Sequence, residues 1–258
     1  MQTITKIVTN IFIFCLILLS GCSNFINNSK EVKNNMLKNK KFIFTFLSAP
    51  GAGKGTLAQQ AASKLNFIVL STGDLFRQHI ANNTTIGQEL KKYMDKGELV
   101  PDDLVISMVK EWLLSVKDTD RQIILDGFPR TDVQAQKLIT LIKNNLPEHN
   151  FRVVKLEISK GEITNRLVNR RVCPNKSCQA VYNTSMPEIA AGKCLKCSSV
   201  LIQRNDDKPE VISQRFDVYY KNEDELIKAY QDSGINIEIL SVSQKTPDQI
   251  FEEFKAIL

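Results

Sequence analysis

Long apolar stretches are missing from this 258-residue chain. The run Ile11–Leu19 stops at nine residues, against the roughly 20 that a membrane-spanning helix needs, which argues against a transmembrane protein. Arginine is scarce too, with nine Arg against 25 Lys. The net charge of +6 is too mild to point to nucleic acid. Where Lys supplies the ordinary surface charge, each Arg marks a place that needs a planar, bidentate fork. Cysteine is confined to two places: Cys15 and Cys22 lie near the N-terminus, and Cys173, Cys178, Cys194 and Cys197 fall within 25 residues of one another. A chain of this length has core enough without staples, so the cluster reads as a metal site rather than a disulfide framework. His79, His149 and Trp112 fall in no catalytic pattern and read as packing or surface residues. What remains, 43% hydrophobic and 24% charged, suits a soluble globular protein with one core and room for insertions.

The strongest local signal is "SAPGAGKGT", residues 48–56. The preceding FIFTFL (Phe42–Leu47) is unbroken apolar and β-branched, as expected of a strand buried on both faces, and a helical period returns from Leu57. Strand, glycine loop and helix together make an anion cradle of loop amides and a helix N-terminus. Lys54 then meets the phosphates of a nucleotide, with Gly51, Ala52, Gly53, Gly55 and Thr56 supplying the cradle. Two positions depart from the general Walker A pattern. Ser48 stands where it has glycine, and a glycine-only conformation there would strain the loop by roughly 1–3 kcal/mol. Gly55 precedes Thr56 where a hydroxyl residue follows the lysine directly, so the metal of a metal–nucleotide complex is expected to be held largely through waters.

Two further segments, "LSTGDLFR" (Leu70–Arg77) and "LDGFPRTDVQAQ" (Leu125–Gln136), stand in the same order and spacing as in adenylate kinase. The chain resembles that family from residue 42 to about 247. Read physically, Ile123–Leu125 forms a second buried strand and sets the Asp126 carboxylate at its carboxyl end, where open α/β sheets bind ligands. The resemblance implies that Asp126 orients the waters of Mg2+, with Asp74 as a helper. It implies that Arg77 and Arg130 grip the α-phosphate of AMP, and that Thr72, Gly127 and Gln134 contact the nucleoside, Gln134 reading the adenine edge. Glu98, Leu99 and Val100 line the same pocket through their backbone. A plainer reading makes Asp74 and Thr72 caps of a helix beginning near Leu75.

After the strand-like VVKLEI the four clustered cysteines are spaced CxxxxC, fifteen residues, CxxC. Two such pairs can supply four thiolates to tetrahedral Zn2+, and a ribbon with little core would gain much of its folding energy from the metal. Bacterial adenylate kinases with a zinc-bearing lid resemble this arrangement with two residues inside the first pair, whereas this chain has four, PNKS. An apo lid or a disulfide is the alternative. Arg166, Arg170, Arg204 and Arg215 flank the ribbon at spacings the family uses for phosphate contacts: Arg166 and Arg170 toward ATP, Arg204 and Arg215 toward AMP. Six of the nine Arg thus fall on the proposed phosphate path, and Val181 and Tyr182 are placed near the ATP base or ribose.

The reading that follows is an α/β fold: a P-loop three-layer domain with a central parallel sheet (core 41–70, 105–168 and 206–258). It is interrupted by a helical monophosphate-binding insertion (71–104) and a zinc-ribbon lid insertion (169–205). Lys54, Arg130, Arg166, Arg170 and Asp126 carry a reversible transfer from MgATP to AMP, giving two ADP, in a monomer. The alternatives are a kinase for UMP, CMP or another monophosphate, and a degenerate nucleotide-binding domain on an envelope lipoprotein. The last arises because residues 1–35 resemble a bacterial lipoprotein signal and polar tether: one Lys, the apolar run, then Leu19-Ser20-Gly21-Cys22, the Cys being the lipidated residue. Against it, the segment from Met36 reads as a complete start. Nucleoside triphosphate and reduced thiols are cytosolic provisions, so a cytoplasmic enzyme with no membrane partner is expected unless Cys22 is lipidated.

Overall fold

Strand β1 (Lys41–Leu47) carries the run marked as buried on both faces, and its side chains part alternately. Phe44 and Phe46 enter one cluster with Leu57, Ala61, Ile124 and Phe254, while Ile43 enters another with Ile123, Leu125, Val109 and Leu138. The same alternation runs along β3 (Ile123–Asp126), which pairs with β1 in parallel. Neither strand has a polar face because helices cover both sides. The computed structural model describes residues 40–175 and 178–258, and residues 42–258 form one unit. The leader, with Cys15 and Cys22, lies outside the described residues, as do Lys176 and Ser177.

The central sheet has the order β2-β3-β1-β4-β7, with β2 at Ile68–Ser71, β4 at His149–Glu157 and β7 at Ile237–Ser241. Helices α1 (Lys54–Leu65) and α8 (Pro247–Ile257) cover one face, where the Phe254 ring stands edge-on to Phe44 and Phe46, at 5.6 Å from each. On the other lie α4 (Asp102–Ser115), α5 (Asp132–Asn145) and the long α7 (Pro209–Asp232), which packs Leu226 and Tyr230 against Leu47 and Val153. The three-layer parallel architecture expected from the sequence is present.

Register brings the carboxyl ends of the strands level. Ser71 pairs with Asp126, and Thr45 with Leu125. Beneath that edge the buried Thr45 hydroxyl donates to the carbonyl of Phe128 at 2.6 Å, tying β1 to the turn after β3. Ligands in open α/β sheets bind just outside such an edge.

Two excursions leave this core. Between β2 and α4 run α2 (Thr72–Ala81) and α3 (Thr85–Met94), so closely apposed that a Cβ on Gly87 would come within 2.2 Å of the His79 carbonyl oxygen. Between α6 (Lys160–Val168) and α7, strands β5 (Arg170–Val172) and β6 (Val181–Asn183) pair antiparallel, with further bridges at Val172–Ile202 and Lys193–Val200. The ribbon's core is small: Cys173, Ala180, Tyr182, Ile189 and Cys194.

The three arginines left off the phosphate path have structural partners. Arg121 donates to the Asn66 and Phe67 carbonyls, Arg152 lies over the rings of Phe42 and Phe44 and reaches the carbonyl of Ile257, and Arg171 bonds the Val168 and Arg170 carbonyls. Among the described residues no helix is long and apolar enough to cross a membrane.

Candidate active site

The glycine loop leaves β1 and turns into α1 through Gly51 and Gly53, at φ +90° and +107°. Both values lie in the region that side chains avoid. At Gly51 space is closed as well, since a Cβ would lie 2.6 Å from Leu167 Cγ and 2.9 Å from Ile163 Cγ2 on α6. Gly51→Ala is therefore expected to lower stability by about 2–4 kcal/mol, measured as a fall in the urea midpoint. Ser48 does not share the feared strain: it is not among the residues with positive φ. Its hydroxyl and carbonyl oxygens instead accept hydrogen bonds from Lys54 Nζ at 2.9 and 2.8 Å, and the Ala49 carbonyl accepts a third at 3.2 Å.

Burial depresses the Lys54 pKa to about 7. Asp126 opposes the shift, and the repulsion of Arg130, Arg215 and Arg170 adds to it. Asp126 abuts the loop, its Oδ2 lying 3.3 Å from where a Gly55 Cβ would stand, and burial raises its pKa against the pull of Lys54. The loop thus presents a cation held uncomfortably beside a carboxylate, an environment that a phosphate chain would relieve.

Helix α2 begins at Thr72, three residues before the expected start, and its cap is Ser71, whose hydroxyl accepts from Asp74 N at 3.3 Å. Thr72 and Asp74 are therefore not caps. The Thr72 hydroxyl faces the Asp126 and Gly127 carbonyls, and Asp74 pairs with Arg77 and stands 3.8 Å from Arg204. Burial raises the Asp74 pKa, but the Arg77 charge and hydrogen bond outweigh it and leave the carboxyl below its usual range. Gly127, at φ +82°, has no room for a Cβ beside Thr72 Oγ1 and Arg130 Nη2, and its carbonyl anchors Arg130 Nε at 2.8 Å. Burial and then Arg215 lower the pKa of Arg130, and burial with Arg77 and Arg170 brings Arg204 to about 10. Arg204 Nε is buried with no hydrogen-bond partner among the described residues.

Arg166 spans from α6 to the loop, donating to Glu162, the Ala52 carbonyl and the Val242 carbonyl. Arg170 makes a two-pronged pair with Asp207, which is 0% exposed and also meets Arg215 at 3.2 Å. Arg215 bonds Asp206 as well, and Gly97 at φ +74° brings the backbone after α3 to 3.0 Å from Arg215 Cγ, measured from an added Cβ. Asp206 and Asp207 belong to no motif that the sequence displays. Their only signal was the doubled acid in "RNDD", directly after Arg204.

These groups line one cleft of about 810 Å³. On its walls lie Gly51, Gly53, Lys54, Gly55 and Thr56 from the loop, then Thr72, Arg77, Glu98, Leu99, Val100, Asp126, Gly127, Arg130 and Gln134. Arg166, Arg170, Val181, Tyr182, Arg204 and Arg215 come from the lid side. Ala52 is buried beneath the loop instead, its carbonyl taking Arg166. The Tyr182 hydroxyl is engaged away from the cleft floor, against Cys194 Sγ at 3.3 Å and the Leu195 amide at 3.1 Å.

The four lid cysteines are free thiols whose Sγ atoms all lie within 4.8 Å of one another, Cys173 to Cys197 at 3.3 Å and Cys178 to Cys194 at 3.6 Å. Burial opposes ionisation of Cys194, but the Tyr182 hydroxyl and neighbouring amides bring its pKa to about 6, while burial pushes Cys173 to about 12. Four sulfurs at such separations fit a tetrahedral thiolate site, where bonds of about 2.3 Å set sulfurs roughly 3.8 Å apart. The four-residue gap in the first pair does not keep its sulfurs from the cluster.

A glycine loop with a half-buried lysine, facing a ring of arginines across the carboxyl edge of a parallel sheet, defines a P-loop nucleotide phosphotransferase. The adenylate kinase family model matches residues 46–235. The chain is 41% identical over 214 residues to an adenylate kinase of Archaeoglobus fulgidus, covering 83% of this chain and 96% of that one. It is 44% identical over 216 residues to one of Thermodesulfovibrio yellowstonii, and 40% identical over 215 to one of Lactobacillus helveticus, covering 97% and 95% of those proteins and 83% and 82% of this one. The chain belongs to the adenylate kinase family and is an ATP:AMP phosphotransferase, interconverting ATP plus AMP with two ADP.

Proposed function

We propose that the single cleft performs this reaction with the two nucleotides end to end. The loop of Gly51, Ala52, Gly53, Lys54, Gly55 and Thr56 would hold the donor phosphates, and Arg77, Arg130, Arg204 and Arg215 the acceptor phosphate. The observation that carries this reading is the shared cleft: Lys54 and the arginines line one space, where burial depresses Lys54 and the repulsion of Arg130, Arg215 and Arg170 adds to it. Phosphoryl transfer asks little covalent chemistry of a protein, so alignment, charge neutralisation and exclusion of water do the catalysis. Arg166 and Arg170 sit at the root of the lid excursion, between loop and ribbon, where they would draw the lid over the transferring group.

Asp126, beside Gly55, is the residue that would hold Mg2+ through waters, and the metal supplies charge neutralisation between the phosphates when bound. Asp74 is committed to Arg77 and near Arg204, which fits an organiser of the acceptor arginines better than a helper of Mg2+. Thr72, Gly127 and Gln134, with the backbone of Glu98, Leu99 and Val100, would receive the AMP nucleoside, and Val181 with Tyr182 the ATP base side. Cys173, Cys178, Cys194 and Cys197 would hold Zn2+ as a structural ion. The insertions 71–104 and 169–205 are the moving parts in this reading, and a monomer suffices because both substrate sites lie in one chain. Free thiols and nucleotide substrates support a cytoplasmic setting.

A coupled ADP-formation assay on the full chain tests this. With MgATP held saturating, AMP is expected to exceed UMP and CMP as acceptor by at least about 100-fold in kcat/KM. Equal use of a pyrimidine monophosphate would move the chain to a different specificity, and no turnover with any acceptor would leave only a binding module.

A further inference from the structure

The Gln134 side chain, 2% exposed on the cleft wall, is gripped from both ends. Its Oε1 accepts from the Arg130 backbone N–H at 2.8 Å, and its Nε2 donates to Asp102 Oδ1 at 2.7 Å. A backbone N–H can only donate and an ionised carboxylate can only accept. Turning the amide over would set Oε1 against the carboxylate and Nε2 against the N–H, losing both bonds and creating two repulsions. The orientation of this amide is thus dictated by its partners' chemistry.

Asp102 is itself held. Its Oδ2 accepts from the Thr131 hydroxyl at 3.0 Å, and that hydroxyl accepts in turn from Gln134 N at 3.2 Å, at the cap of α5. One carboxylate oxygen is thereby left aimed at Gln134. Asp102 opens α4 just after the Glu98–Val100 segment, yet it is not among the residues lining the cleft.

We infer that Asp102 is a positioning residue for acceptor-base specificity: by fixing the Gln134 amide, it leaves one Nε2–H and one Oε1 lone pair in a set order toward the cleft. That order suits adenine, whose N1 accepts and whose 6-amino group donates, and opposes hypoxanthine, whose N1–H donates and whose 6-oxygen accepts. The inference rests on the reading above in which Gln134 meets the AMP base. It goes beyond that reading in assigning the choice between purines to a residue that touches no substrate.

The test compares AMP with IMP as acceptors for the full chain, as the ratio of their kcat/KM values within each preparation, so that partial unfolding of a variant cancels. A correctly ordered donor–acceptor pair is expected to favour AMP by about 10- to 100-fold. Asp102→Ala leaves the amide only its Arg130 tether, and the ratio should narrow about fivefold or more, through KM for AMP rather than kcat. Asp102→Asn, which still offers an oxygen to Gln134 and an amide to Thr131, should restore most of it. An unchanged ratio in Asp102→Ala, beside a narrowed one in Gln134→Leu, overturns the role of Asp102 alone. An unchanged ratio in Gln134→Leu overturns the placement of the base at Gln134, and the inference falls with it.

Discussion

Lys54→Met is expected to abolish phosphotransfer and at the same time to make the nucleotide-free protein more stable. The loss in kcat should be about a thousandfold or more, as for other groups aimed at charge on a transferring phosphoryl group. The stability gain follows from the sign of the pKa shift. Lys54 titrates near 7 in the folded chain against 10.5 as the ordinary value, with burial as the leading cause. Between those values the unfolded chain binds the proton more tightly, so the charged lysine destabilises the fold. That penalty is fully present below about pH 7 and fades as pH rises toward 10.5. Discounted for the water that reaches an open cleft, it amounts to about 1–3 kcal/mol near neutrality. At pH 7 the variant should melt about 2–8 °C higher than the parent, and the gap should close at alkaline pH. A variant that loses both activity and stability at pH 7 would contradict this account of the loop.

The second large effect concerns the lid. Protein purified without added metal should carry one Zn2+ per chain, and a strong chelator should strip it with a loss of several kcal/mol in ribbon stability. Limited proteolysis should then cut between Cys173 and Val200 while the sheet domain stays intact, because the ribbon's own core comprises only Cys173, Ala180, Tyr182, Ile189 and Cys194. Activity should fall with the metal, since Arg170 and Arg204 stand at the two ends of the ribbon. Cys194→Ser should reproduce the stripped state. Absence of zinc together with an unchanged cleavage pattern after chelation would sink the proposal. Sulfurs 3.3 and 3.6 Å apart are within reach of one shared ion, which is the arrangement that the chelation experiment probes.

The loop, the strands and most arginines could be read from the sequence because their signals are local. Phe42–Leu47 is apolar or β-branched at every position, and glycines punctuate its end, so neighbours in sequence are enough. The partners of those arginines could not be read. Asp207 meets Arg170 across 37 residues, and nothing in "RNDD" says which guanidinium it faces. Ser48 illustrates the converse: a departure from the pattern raised the prospect of strain, but only backbone geometry could show ordinary φ and a hydroxyl turned to Lys54. The helix begins three residues before Leu75, because Ser71, Thr72 and Asp74 all carry side chains that can cap and only the strand register, with Ser71 paired to Asp126, selects Ser71. Asp102 was invisible, since its role depends on α4 and α5 lying side by side.

The bond from Thr45 to the Phe128 carbonyl has a bearing on how such an enzyme can diversify. It ties the strand that feeds the donor loop to the turn that carries Arg130, and it does so underneath the cleft, among buried residues. In the proposed arrangement the distance between the two phosphate seats is therefore set by the scaffold's interior, while the acceptor base meets the Gln134 side chain on the cleft wall. A change at Gln134 would alter the base contact and one hydrogen bond of the Arg130 backbone but leave the Thr45 tie in place, so the donor strand and the turn would keep their spacing while the acceptor varied.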